Sequence, residues 1–136
     1  MGLLDKLKHV VTGGAAKVVL VKHSGTLAAG ELVYVKVEVE AVADVKSKGL
    51  FVDLHGEDDL DESVLDKAAE LFNPDPSYAW PIAEAFELAS GQKRVFENAI
   101  SMPNDLVVGT RTWLIRARVE APGKDPTSPW VKFGAP

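Results

Sequence analysis

Between Gly30 and Glu40 the chain reads G-E-L-V-Y-V-K-V-E-V-E, so that Val33, Val35, Val37 and Val39 alternate strictly with Tyr34, Lys36, Glu38 and Glu40. Successive side chains of a strand point to opposite faces, which puts the four valines on one face and the charged residues on the other. A β-branched row of this kind suits a pleated surface that is buried on one side. One apolar and one solvated face argue for an antiparallel sheet rather than a parallel sheet covered by helices.

A second run of the same period covers residues 110–120. It places Trp113, Ile115, Ala117 and Val119 on one face against Thr112, Arg116, Arg118 and Glu120, with Trp113 as the natural centre of a core. Weaker strand signals lie at residues 16–23, 45–55, 80–89, 94–100 and 130–133. In 45–55, Leu50, Val52 and Leu54 share a face opposite Phe51, Asp53 and His55; in 80–89, Ile82, Phe86 and Leu88 form the inward set, with Glu84 as an exception. In 94–100, Phe96 and Ile100 fall on one side and Val95 and Ala99 on the other. Residues 16–23 and 30–40 need not pair with each other. Ser90-Gly91-Gln92-Lys93 carries the chemistry of a hairpin turn. About seven strands separated by turn signals predict a mainly β, antiparallel immunoglobulin-like sandwich. With 136 residues and 46% hydrophobic content, one domain over residues 1–136 is expected to build its core without a disulfide or structural metal.

Two segments break the period of two. Leu3, Leu4, Leu7 and Val10 recur at helical spacing before Gly13-Gly14 and predict a short amphipathic helix over residues 1–12. Such a helix either docks a partner or a membrane surface, or covers an open end of the sandwich. Its length and its few lysines fall short of a membrane anchor. Leu60, Val64, Leu65, Ala68, Leu71 and Phe72 predict an inserted helix over residues 59–72, ended by Asn73-Pro74-Asp75-Pro76. The acids around its start suggest a calcium-binding, C2-like site made of Asp53, Asp58, Asp59 and Asp61, since hard cations take several carboxylate oxygens. The competing explanation needs no metal: Asp59 with Glu62 has capping-box spacing, and acids in a first turn favour the positive end of the helix dipole.

Other chemistry is sparse. The absence of cysteine removes zinc fingers, iron–sulfur clusters and thiol nucleophiles. A net charge of -5 without a basic, aromatic-laced patch argues against nucleic acid as a partner. The longest apolar runs are far below the roughly 20 residues that span a bilayer, and no signal-peptide pattern opens the chain; a cytoplasmic location is expected. The three histidines His9, His23 and His55 lie in three different elements. No G-x-S-x-G elbow or phosphate-cradling glycine loop is present. These readings favour a protein that is not an enzyme and needs no cofactor, with a hydrolase of unrecognised site as an alternative that a pocket gathering a histidine and a carboxylate would support.

Several short motifs appear in order: A-A-K-V at Ala15–Val18, the turn Ala29-Gly30-Glu31, F-E-L-A-S-G at Phe86–Gly91, V-F-E at Val95–Glu97, Met102-Pro103, and G-T-R-T-W-L-I-R-A-R-V at Gly109–Val119. Together they resemble the amino-terminal half of arrestin-like proteins of the bacterial sporulation-control type. The resemblance departs at Ala29, where the family has proline, and at the predicted insertion over residues 59–72. It implies an arrestin-like sandwich that acts as a non-catalytic adaptor or regulatory scaffold for a protein partner. Family members carry two sandwiches and this sequence reads as one, so roles of the cleft between domains are not carried over. Exposed strand edges add the prospect of a homodimer.

Overall fold

The structure, a computed structural model, describes residues 15–57, 76–109, 111–123 and 125–133. The helices expected over residues 1–12 and 59–72 lie outside the described residues. Nine strands run through the rest: β1 Ala16–Gly25, β2 Leu32–Ala41, β3 Val45–Ser47, β4 Gly49–Glu57, β5 Tyr78–Ala83, β6 Phe86–Leu88, β7 Lys93–Ser101, β8 Thr112–Glu120 and β9 Val131–Lys132. All pairings are antiparallel. They form a three-stranded sheet β1-β2-β7, a four-stranded sheet β5-β4-β8-β9 and a small sheet β3-β6.

The two alternating runs become the central strands. Val33, Val35, Val37 and Val39 on β2 and Trp113, Ile115, Ala117 and Val119 on β8 are all buried, and all belong to one apolar cluster with Leu50, Val52 and Leu54 of β4. The larger sheets therefore face each other across this cluster as a β-sandwich. Phe96 and Ile100 of β7 turn inward as their spacing predicts, while Val95 is exposed. The opposite face of the three-stranded sheet is held by cross-strand ion pairs, Lys17–Glu40, Lys36–Glu97 and Glu38–Lys93, which in water are worth little individually.

The strand count differs from the expected seven because two apparent strands each divide. Residues 45–55 separate at Lys48: β3 pairs with β6, whereas β4 pairs with β5 and β8. The Ser47 hydroxyl donates to the Gly49 carbonyl and accepts from the Gly49 amide, closing the corner with a side chain in place of a ladder bond. Residues 80–89 divide at Glu84-Ala85, so the exceptional Glu84 marks a sheet change rather than an irregularity within one strand. The turn at Ser90–Lys93 exists, with the Gln92 amide donating to Ala89. Its flanking strands belong to different sheets, so it is not a hairpin.

Strand β1 does pair with β2, through a bulge at Val21 between Leu20↔Val37 and Lys22↔Lys36. The extra residue shifts the alternation, so that His23 comes opposite Val35 and faces inward where a regular strand would have aimed it outward. The final strand is shorter than the expected 130–133, but the segment before it already pairs along β8. Arg118 bridges Thr127 and the Pro126 and Ala117 carbonyls accept from Val119 and Ser128, so the chain follows β8 from Pro126 to β9. Between Arg118↔Thr127 and Ile115↔Val131 the terminal segment has one more residue than β8, a second bulge opposite Arg116.

One close approach tests this packing. Gly56 lies across from Trp113, and a Cβ there would meet three atoms of the indole ring at 2.9 to 3.1 Å. The ring is buried and its N–H donates to the Val108 carbonyl, which leaves it little room to retreat. Gly56→Ala should lower unfolding stability by about 1–3 kcal/mol, the usual range for overpacking, measured by chemical denaturation.

Candidate functional site

The outer face of the four-stranded sheet, unlike that of its partner sheet, is covered at its centre, where Asp53, Leu114 and Arg116 are buried. Asp53 on β4 is fully buried and lies directly across from Arg116 on β8. Arg116 Nε donates to Asp53 Oδ2 at 2.9 Å; Arg118 donates to both carboxylate oxygens, through Nε at 3.1 Å and Nη2 at 3.3 Å. Arg118 Nη1 reaches Asp125 at 3.3 Å, and the other oxygen of Asp125 accepts from the Ala121 amide. Each guanidinium rests on one aromatic face: Arg116 lies 4.4 Å from the Trp130 ring centre and Arg118 4.9 Å from that of Phe51. Burial by itself would lower the Arg118 pKa, but its bonds and attraction to Asp53 and Asp125 outweigh that effect and raise it.

This geometry bears on the calcium reading. Asp53 holds two positive charges at hydrogen-bond distance, where a calcium ion would be repelled and would find both carboxylate oxygens already used. Asp58, Asp59 and Asp61 lie outside the described residues, as do the apolar docking residues Leu3, Leu4, Leu7 and Val10. Among the described residues no group of three or more His, Cys, Asp or Glu side chains is arranged to hold a metal ion. No helix among them is long and apolar enough to cross a membrane.

The same face brings a histidine, a carboxylate and a hydroxyl together. His55 Nε2 is 2.8 Å from Glu57 Oε2, and the Ser77 hydroxyl is 3.4 Å from His55 Nδ1. A hydrolase would need a tight bond from nucleophile to base and free amides to hold an oxyanion. The Ser77–His55 contact is long for the first. The amides nearest Ser77 are also engaged, its own with the Leu54 carbonyl and that of Gly56 with the Ser77 hydroxyl. Two grooves lie elsewhere, one of about 450 Å³ over Lys22, Ser24, Tyr34, Lys36 and Glu97, the other of about 530 Å³ beside Lys46 and Phe86. The cluster joins β4 to the start of β5, and neither of these grooves includes His55, Glu57 or Ser77. His55 and His23 are 6.2 and 5.0 Å from the ring centres of Trp130 and Phe133, so both rest on the terminal segment instead of on each other.

Sequence reasoning places Asp53, Arg116 and Arg118 on the faces of their strands opposite the apolar rows, as they are; it does not foresee that Asp53 and Arg116 are buried there. The signal available was the register: one acid and two arginines of matching parity on two strongly patterned strands.

Two outcomes follow. Asp53→Asn removes the anion that Arg116 and Arg118 share, leaving Arg118 its longer bond to Asp125, and should destabilise the fold by roughly 3–5 kcal/mol; a loss below about 1 kcal/mol in urea titration would show that the pair does not anchor this face. Burial pushes the His23 imidazole below its ordinary 6.5, so the unfolded chain binds its proton more readily. That contribution is complete above the unfolded value and is lost as pH falls through 6.5 toward the folded one. His23→Phe should therefore flatten the decline of stability between about pH 7 and 5, and an unchanged acid limb in thermal scans would contradict this.

The sequence matches no protein-family model and no curated protein. In structure it is similar to Spo0M, the sporulation control protein of Bacillus subtilis: the alignment has a TM-score of 0.58 and 19% identity and covers 88% of this chain. It covers 48% of that protein, so the chain spans about half the length of its structural neighbour. The chain has the arrestin-like fold that its motifs suggested.

Proposed function

We propose that the chain is a non-catalytic, cytoplasmic regulatory module that works as an adaptor or scaffold by binding another protein. The observation that carries this reading is the likeness in fold to a sporulation control protein over 88% of the chain. The chemistry of the described residues supports it. The buried acid and arginines neutralise one another, and the His55–Glu57–Ser77 cluster joins two strands. An acidic chain of net charge -5 directs the search to proteins rather than nucleic acids. The apolar row Leu3, Leu4, Leu7 and Val10 is the docking element of this proposal, as its helical spacing suggests.

The test compares the full chain with one lacking residues 1–12 as bait in extracts of the native host, with mass spectrometry of what is retained. The full chain should hold one partner in fixed stoichiometry; the shortened chain should keep its thermal midpoint and release that partner. Unfolding of the shortened chain would make Leu3, Leu4, Leu7 and Val10 core residues and remove their docking role. Titration with calcium should give neither heat nor a thermal shift, and a saturable response would return Asp58, Asp59 and Asp61 to consideration.

A further inference from the structure

The outer face of the three-stranded sheet carries four lysines, and three of them are matched by acids. Lys17 lies 3.9 Å from Glu40, Lys36 3.6 Å from Glu97 and Lys93 3.7 Å from Glu38. Lys22 is the exception. The bulge at Val21 that turns His23 inward turns Lys22 outward and sets it directly across from Lys36. Among the described residues no acid pairs with its ammonium. Like charges opposed in this way are unfavourable in a sheet, and this is the one directly opposed pair of like charge among β1, β2 and β7.

The neighbouring row adds hydroxyls and an aromatic ring. Ser24 lies across from Tyr34, and Tyr34 across from Ala99. Adjacent strands are about 4.8 Å apart, and residues two apart along a strand about 6.6 Å. Lys22, Lys36, Ser24 and Tyr34 therefore stand at the corners of one small patch that offers two ammonium groups and two hydroxyls. The Tyr34 ring is 55% exposed, and the small side chain of Ala99 beside it leaves its flank open. A groove of about 450 Å³ runs over these residues and Glu97, a volume within the range of small-ligand sites.

We propose that this groove binds a small organic carboxylate with an apolar body. The carboxylate accepts from the Lys22 and Lys36 ammoniums, with the Ser24 and Tyr34 hydroxyls as further donors, and the body lies on the Tyr34 ring over Ala99. Charge sets the class of ligand. Two lysines and one glutamate leave an excess of one positive charge, which a carboxylate cancels. A dianionic phosphate ester would exceed it beside Glu97, and an uncharged ligand would leave the two lysines opposed. The site uses none of residues 1–12 and does not depend on capture of another protein.

Phenylpropionate tests this assignment, with phenylpropanol as the same body without the charge. Titrated into the full chain near neutral pH and at low salt, phenylpropionate should saturate below about 10 mM. Its amide shifts in NMR spectra should centre on Lys22, Tyr34 and Lys36, and phenylpropanol should produce none there. Lys22→Gln should raise the dissociation constant at least about fivefold. Glu97→Gln frees Lys36 from its competing acid and should lower the constant by about twofold. Both substitutions are at exposed positions and should leave the thermal midpoint within about 2 °C. Lack of saturation, shifts centred elsewhere, equal binding of phenylpropanol, tighter binding of phenyl phosphate, or indifference to Lys22→Gln would overturn the proposal.

Discussion

Two rows of side chains facing each other hold this fold together. Val33, Val35, Val37 and Val39 on β2 lie across the interior from Trp113, Ile115, Ala117 and Val119 on β8, and both rows are buried. Removing a valine side chain completely from water contributes about 1.5–3 kcal/mol, so these strands supply much of what offsets the loss of chain entropy. A register slip of one residue on either strand would turn its whole row to solvent. That all-or-none penalty makes β2 and β8 the fixed members against which the shorter strands are placed.

Against this apolar interior the outer face of the four-stranded sheet follows another rule. A buried ion pair adds little net stability, because desolvation cancels much of the attraction, yet removing one partner is costly. The Asp53–Arg116–Arg118–Asp125 chain therefore acts mainly on geometry. It fixes β4 against β8 and, through Asp125 and the Trp130 ring, draws the terminal segment along the β8 edge. The Trp130 ring of that segment lies over Arg116, and β8 is buried on both faces from Trp113 to Ala117. The functional consequence is subtractive. Among the described residues, the acid, the arginines and the histidine whose chemistry would attract attention in the sequence are engaged by their neighbours.

Much of the architecture was legible from spacing. The period of two in residues 30–40 and 110–120 identified both central strands and their inward faces, because alternation is a local property of the extended chain. Glu84 broke the inward pattern where the chain leaves one sheet for another, a signal visible in the sequence and open to another explanation until the pairing was seen. The split at Lys48 is also marked in the sequence, because the inward parity of Leu50, Val52 and Leu54 carried backward would bury Lys48 and Lys46, whereas Val45 and Ser47 are the buried residues of β3. His23 turned inward because an extra residue at Val21 shifts the phase, and a bulge is a property of two paired strands rather than of one.

For the polar residues the boundary is sharper. Local pattern places Asp53 and Arg116 on the outward faces of their strands, and no local pattern can say that those strands are neighbours with the two residues in register. The sequence by itself determined that this chain forms antiparallel sheets with a valine-rich and a tryptophan-bearing inner face, because side-chain alternation and burial of apolar area act within each strand. Only the tertiary structure decided which strands adjoin, that the terminal segment closes over β8, and that Asp53 is a buried counterion instead of a surface ligand. Those outcomes depend on contacts between residues distant in the chain, whose energies exist only once the sheets have paired.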